Sequence, residues 1–302
     1  MNQQFLEALK TILNEEQWKE QEPMKLHTTF RVGGPADLLV TPDLVQLPSV
    51  IKLCKLHQMP YTVIGNGSNL LVGDKGIRGV VIVCGKPAEE ISFDGAHMTV
   101  GAGTMLAKAA NAAAEHSLTG MEFAAGIPGS VGGAVVMNAG AYGGEMKDII
   151  ESVKVLDLDG KEHVLSLQEL DLSYRHSCIP EHGYIVTEAT LCLERGDMQQ
   201  IRDTMEDYRN RRAEKQPLNY PSAGSTFKRP EGYFAGKLIM DAGLKGYTVG
   251  GAQVSEKHAG FVVNIGDATA ADIKQLMQDV SDKVKEQYGV VLEPEVKMIG
   301  EF

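Results

Sequence analysis

Cysteine is scarce and scattered in this chain. Cys54, Cys84, Cys178 and Cys192 show none of the paired spacings of a zinc site or a redox dithiol, so no metal is expected and the four read as reduced thiols of a cytoplasmic protein. Basic charge is short as well. The 29 Lys and Arg stand against 40 Asp and Glu, a formal net charge of −11, which argues against a general nucleic-acid or membrane-surface binder, since those need a basic field to attract phosphates. An anionic ligand must then meet a local basic patch. Long apolar runs are missing too: the least polar stretch, residues 124–144, is interrupted by Pro128 and by repeated glycines, and a backbone broken in that way would be unsatisfied in lipid. No membrane insertion is expected, no repeat or low-complexity segment stands out, and no obligate protein partner is evident.

What is present is an ordinary globular composition, 43% hydrophobic and 23% charged over 302 residues. That is more chain than one core usually takes, so more than one domain is expected. Phe5, Leu6, Leu9, Ile12 and Leu13 fall at helical spacing and predict an amphipathic N-terminal helix rather than a signal peptide. A helix over 44–57 and a strand over 61–64 lead into a glycine loop. Strands over 79–83, 91–93 and 98–100 and an alanine-rich helix over 106–116 follow. Alternation on both sides of Asp159-Gly160 predicts a β-hairpin. A charged helix is expected over 197–215, with the main boundary near its end, then a short helix near 235–242 and a strand over 260–265. Thr269 with Asp272 forms a capping box for a last helix that Gly289 stops.

Two loops look built for a pyrophosphate. One is Gly65-Asn66-Gly67-Ser68-Asn69; the other is Gly126-Ile127-Pro128-Gly129-Ser130-Val131-Gly132-Gly133-Ala134. Glycines let the backbone approach phosphate closely and aim several N–H groups at one anion, although a tight turn between strands would use the same residues. The nicotinamide dinucleotide fingerprint does not fit, because Leu70 and Leu106 stand where a third glycine should be after Gly65-x-Gly67 and Gly101-x-Gly103. Residues 209–229 carry Arg209, Arg211, Arg212, Lys215, Lys228 and Arg229 against Glu214 alone. This stretch is either a solvated helix face or the patch that a nucleoside diphosphate needs.

TFRVGGPAD, IGNGSNLLV and GIPGSVGGAVVMNAGAYGG, followed in order by SYRHS, NYPSAGSTFKRP and LEPEV, closely resemble the UDP-N-acetylenolpyruvoylglucosamine reductases from about His27 to the C-terminus. The resemblance implies an α+β protein. A vanillyl-alcohol-oxidase-type FAD-binding domain of two α/β subdomains would be joined to a C-terminal α+β substrate-binding domain. The expected division is an N-terminal helix within 1–26, the FAD domain over 27–196, and a linking helix with the substrate domain over 197–302, whose 290–302 segment carries a catalytic glutamate. The family's extra substrate-closing loop has no room between Ser177 and Thr190, so the chain resembles the shorter variant.

By the same resemblance the cofactor is FAD, held through Arg31, Gly65, Asn66, Gly67, Ser68, Asn69, Gly126, Ile127, Pro128, Gly129, Ser130, Gly132, Gly133, Ala134, Asn138, Gly140 and Tyr142. Ser68 and Asn69 offer no histidine or cysteine anchor, so the flavin is expected to be noncovalent. NADPH is the implied reductant and UDP-N-acetylglucosamine enolpyruvate the implied substrate, in peptidoglycan precursor synthesis. Reducing an enol ether conjugated to a carboxylate takes a hydride, a stabiliser of enolate-like charge and a proton donor. Ser225 is by itself a turn residue or cap, and Arg175 by itself is as easily a surface ion pair. The resemblance makes Ser225 the proton donor, and Arg175 and Glu295 the electrophilic groups, with Glu293 the local competitor of Glu295. Lys215 and Arg229 are the favoured UDP-sugar contacts, with Tyr208 and Gln253 weaker. His258 is read as structural. Two other readings stay open: another flavin oxidoreductase of this fold acting on an alcohol, and a catalytically silent flavin or nucleotide-sugar binder.

Overall fold

The structure, a computed structural model, describes residues 3–84 and 90–302. It resolves into two compact units, each discontinuous in sequence: residues 1–20, 38–66 and 79–211 form the first, and 21–37, 67–78 and 212–302 the second. The consecutive division expected from the sequence is therefore interleaved, because motifs near the N-terminus pair with the end of the chain. The late boundary falls inside the charged helix Met198–Lys215, between Arg211 and Arg212.

The first unit is built around a five-stranded antiparallel sheet, ordered Glu162–Ser166, Ile150–Leu156, Ile185–Cys192, His97–Gly101, Ile91–Asp94. Val153, Ala189 and Val100 meet across three neighbouring strands and are fully buried. The same core takes Leu106, Ala109, Ala110, Ala113 and Ala114 from the helix Leu106–Glu115. Alanines at helical spacing give a narrow apolar face. The hairpin predicted at Asp159-Gly160 is present, with a three-residue loop rather than a two-residue one. Gly160 donates to the Asp157 carbonyl at 2.9 Å, Asp157 donates to the Lys161 carbonyl at 2.9 Å, and Gly160 takes φ +68°. That is a type I turn closed by a left-handed glycine.

A second core in this unit lies under the helix Leu47–Leu56, which follows the strand Pro35–Val40 and precedes Tyr61–Ile64. The strand Tyr61–Ile64 pairs in parallel with Ile77–Val83, in register Tyr61↔Val80. Phe5, Leu9 and Leu13 are buried here, as their spacing required. The N-terminal helix itself is shorter than expected within 1–26, spanning Gln3–Leu9, and Trp18–Pro23 is a strand. Beyond the helix, Asn14 and Gln17 form the capping box of a short 3-10 turn, Glu15–Gln17: Gln17 donates to the Asn14 carbonyl at 2.9 Å, and the Asn14 N–H donates to Gln17 Oε1 at 3.0 Å.

The second unit packs a three-stranded antiparallel sheet, Thr248–Val249, Ala252–Val254 and Val262–Asn264, with the helices Ala235–Asp241 and Ala270–Tyr288. Ile273, Leu276, Met277, Val280 and Val284 form the buried stripe of the last helix. Thr269 and Asp272 make the predicted capping box, and Gly289 ends the helix at φ +71°. Asp74 adds a second cap, accepting from Ala270 and Ala271 at 2.8 and 2.9 Å. The strand Leu70–Val72, which continues the first glycine loop, pairs in parallel with Lys297–Ile299 near the C-terminus. No helix among the described residues is long and apolar enough to cross a membrane.

Candidate active site

In the first unit the two glycine loops meet. Asn66 donates from its side chain to the Pro128 carbonyl at 2.6 Å, and a Cβ on Gly65 would lie 2.3 Å from Ser130 Oγ. Only glycine fits at that approach. The second loop is laid along residues 102–106: Leu106 donates to the Gly129 carbonyl at 2.9 Å, Val131 to Thr104 at 2.8 Å and Gly132 to Ala102 at 2.8 Å. A Cβ on Gly132 would come within 2.9 Å of Ala102 Cβ, so this contact is also closed to side chains. Ser130 is buried and caps the helix Val131–Met137, accepting from Gly133 at 3.4 Å. Pro128 and Gly133 are exposed, Gly126, Ile127 and Gly129 half-buried, and Ala134 buried.

Neither loop holds an acidic residue in a chain of net charge −11. A cradle of close-packed peptide groups without carboxylates fits a diphosphate. The residues that would hold FAD in this unit are Gly65, Asn66 and residues 126–134.

Immediately after the second loop, Asn138 closes the helix Val131–Met137 at φ +40° and is fully buried. Gly140 pairs with Glu145, whose Cβ leaves no room for a side chain at 140. Tyr142, at φ +55°, stacks on Tyr208 with ring centroids 4.3 Å apart and donates its hydroxyl to the Tyr208 carbonyl at 3.1 Å. Tyr208 thus gathers against the segment assigned to flavin. Arg175 sits at a corner of the turn 173–176, closed by mutual bonds between Ser173 and His176 at 3.3 and 3.1 Å. Its φ is +56° and its guanidinium lies 5.0 Å from the Tyr174 ring. An L-residue held in the left-handed region is a strain that folds retain at functional positions. Arg31, Asn138 and Tyr142 share the conformation with Arg175, as do Gln21, Gln58, Ser117, Asp171 and Asp267, which no motif marks.

The second unit carries Gly67, Ser68 and Asn69. Gly67, at φ +61°, passes so close to the His27 carbonyl that a Cβ would be 1.9 Å from its oxygen. Asn69 donates to the Glu295 carbonyl at 3.0 Å. Arg31 is exposed on the turn that Thr28 and Arg31 close at 3.1 Å.

Ser225 is exposed in its loop, after Gly224 at φ +76°. Its neighbour Thr226, unmarked by any sequence reading, is fully buried and fixes the loop. Thr226 donates its N–H to the Gly260 carbonyl at 2.9 Å, its Oγ1 accepts from Val262 at 2.9 Å, and its carbonyl accepts from Glu295 at 2.8 Å. The serine and the half-buried glutamate are thereby one residue apart across a backbone bridge. A threonine between glycine-serine and phenylalanine was the available signal, since a buried hydroxyl demands partners.

Lys228 forms a salt bridge of 3.1 Å with Glu293, the local competitor of Glu295. Lys215 is exposed at the end of its helix. Arg229 donates to the Tyr233 carbonyl at 3.3 Å and lies 4.0 Å over the Phe234 ring. Gln253 donates to Thr248 Oγ1 at 3.1 Å. His258 accepts on Nδ1 from Gly260 at 3.1 Å and meets Phe261 edge-on, and burial pushes its pKa down. That is a structural histidine's setting.

Glycine-built loops laid on an α/β scaffold, and a serine joined to a glutamate in a separate α+β unit, define a flavoprotein of the vanillyl-alcohol-oxidase type. An FAD binding domain profile matches residues 36–166, and a profile described as UDP-N-acetylenolpyruvoylglucosamine reductase, C-terminal domain, matches 216–299. The chain belongs to the UDP-N-acetylenolpyruvoylglucosamine reductase family. A protein of that name from Agathobacter rectalis is 58% identical, with 100% of each chain covered, and one from Lachnoclostridium phytofermentans is 54% identical, covering 100% of this chain and 99% of the other. The crystal structure of UDP-N-acetylenolpyruvylglucosamine reductase from Thermus caldophilus superposes with a TM-score of 0.80 at 40% identity, covering 93% of this chain and 98% of that one. An alkyldihydroxyacetonephosphate synthase, 16% identical with a TM-score of 0.51 over 65% of this chain and 41% of its own, shares the fold alone.

Proposed function

We propose that this chain reduces the enolpyruvyl double bond of UDP-N-acetylglucosamine enolpyruvate with NADPH to give UDP-N-acetylmuramate, a step of peptidoglycan precursor synthesis in the cytoplasm. The observation that carries the reading is the backbone bridge from Thr226 to Glu295, which joins the Ser225 loop to the Glu295 segment in a chain of this family. When bound, FAD supplies the hydride that NADPH has delivered to it. The chain's own residues have the remaining work. Ser225 gives a proton to the carbon bearing the ether oxygen, while the hydride adds to the terminal carbon. Arg175 and Glu295 stabilise the negative charge that develops on the substrate's carboxylate side, where a planar guanidinium suits a carboxylate gaining charge. Lys215 and Arg229 meet the diphosphate and sugar, with Tyr208 and Gln253 as further contacts. Arg31, Gly67, Ser68, Asn69, Gly140 and Tyr142 complete the flavin contacts proposed for the two loops. The test is anaerobic: the purified protein, photoreduced, is given UDP-N-acetylglucosamine enolpyruvate. Return of the oxidised flavin spectrum supports the reading, and a flavin that stays reduced rejects it.

A further inference from the structure

We infer that Asn138 is a positioning residue for the Arg175 turn, acting through the Ser173 carbonyl, and that its side chain is not a flavin ligand. The inference rests on the proposed role of Arg175. An asparagine side chain has two N–H hydrogens and one carbonyl oxygen. In Asn138 one hydrogen goes to Glu145 Oε2 at 2.8 Å and the other to the Ser173 carbonyl at 3.1 Å, while the oxygen accepts the Lys147 N–H at 2.9 Å. The side chain is also fully buried, so its donors are spent inside the protein.

Ser173 opens the turn whose corner is Arg175, and its carbonyl takes both the Asn138 amide and the His176 N–H. The other end is tied to the same helix, Ser177 Oγ donating to the Val136 carbonyl at 2.8 Å. The turn needs such ties, because it holds an arginine at φ +56°. Neither glycine nor aspartate meets the demands at 138. Glycine takes φ +40° without strain but makes none of the three bonds. Aspartate tolerates that φ but has no hydrogen to donate when ionised, and sets a carboxylate against Glu145.

The experiment compares Asn138→Asp, Ser177→Ala and the parent holoenzyme. In both variants FAD content and flavin reduction by NADPH should stay within about two-fold of the parent, while reoxidation by the UDP-sugar slows roughly ten- to a hundred-fold, as a displaced catalytic group requires. Hydrogen exchange gives a reading that needs no substrate: a peptide covering 173–177 should exchange faster in Asn138→Asp while one covering 126–134 stays protected. Adding Glu145→Gln to Asn138→Asp supplies a donor toward the new carboxylate but none toward Ser173. That double variant should regain stability and keep the slow reoxidation. Loss of FAD or a slowed NADPH step in soluble Asn138→Asp would assign the side chain to the flavin and overturn the inference. Unchanged exchange at 173–177 would overturn it as well, whatever the substrate. Failure of the parent to reoxidise tells against the proposed function instead.

Discussion

The side chain of Asn69 donates to the carbonyl of Glu295 at 3.0 Å, and the Asn69 carbonyl accepts the Lys297 N–H at 2.9 Å. A loop that looks built for phosphate thus also fixes the backbone of a catalytic candidate 226 residues away. Asn69→Ala removes the bond to the Glu295 carbonyl, so urea unfolding should show a loss of about 1 kcal/mol. Reoxidation by the UDP-sugar should slow more than reduction by NADPH. Equal slowing of both steps would confine Asn69 to the flavin.

Ser225→Ala is expected to keep FAD, keep reduction by NADPH and lose the second half-reaction by about 10²–10⁴-fold, the usual cost of a missing positioned acid. Stopped-flow absorbance separates the two: NADPH bleaches the flavin and anaerobic UDP-sugar restores its colour. Recovery at the parent rate would remove Ser225 from the mechanism.

Arg175, the residue proposed to stabilise charge on the substrate, holds its backbone at φ +56°. Arg175→Gly and Arg175→Ala should both lose turnover. Glycine tolerates φ +56° where alanine does not, so the glycine variant should be the more stable of the two by about 1 kcal/mol. Denaturant titration of both variants measures the difference, and equal midpoints would mean that the turn relaxes.

Asp157, at the hairpin loop, is held down from 3.8 to about 2 by its hydrogen bond with His163, then by the Lys161 N–H, with the Asp159 N–H adding to it. A carboxylate whose folded pKa is depressed stabilises the fold above its unfolded value, and that contribution disappears as pH falls through the folded one. The acid limb of stability between about pH 4 and pH 2 should therefore be shallower in Asp157→Asn. Circular dichroism across that range, parent against variant, checks it; parallel limbs would show that the His163 contact does not persist in solution.

The sequence by itself determined whatever is local or repeats along one element. Thr269, Asp272 and Gly289 mark the last helix because capping is chemistry within a turn. The spacing of Ile273, Leu276, Met277 and Val280 marks its buried face, because a stripe at helical period must go inward. Ser225, Arg175 and Glu295 were named from motifs, and motifs are contiguous. What the tertiary structure alone decided is the company those residues keep. Asn138 reads from the sequence, by resemblance, as a flavin contact, yet its amide reaches Ser173 across 35 positions. Thr226 carried no motif weight, and it is the residue that binds the Ser225 loop to Glu295. The interleaving of the two units was equally hidden, since Leu70–Val72 shows a strand's pattern but not that its partner is Lys297–Ile299. Such pairings are set by which buried donors and acceptors must satisfy one another. That accounting closes only when distant segments are brought together.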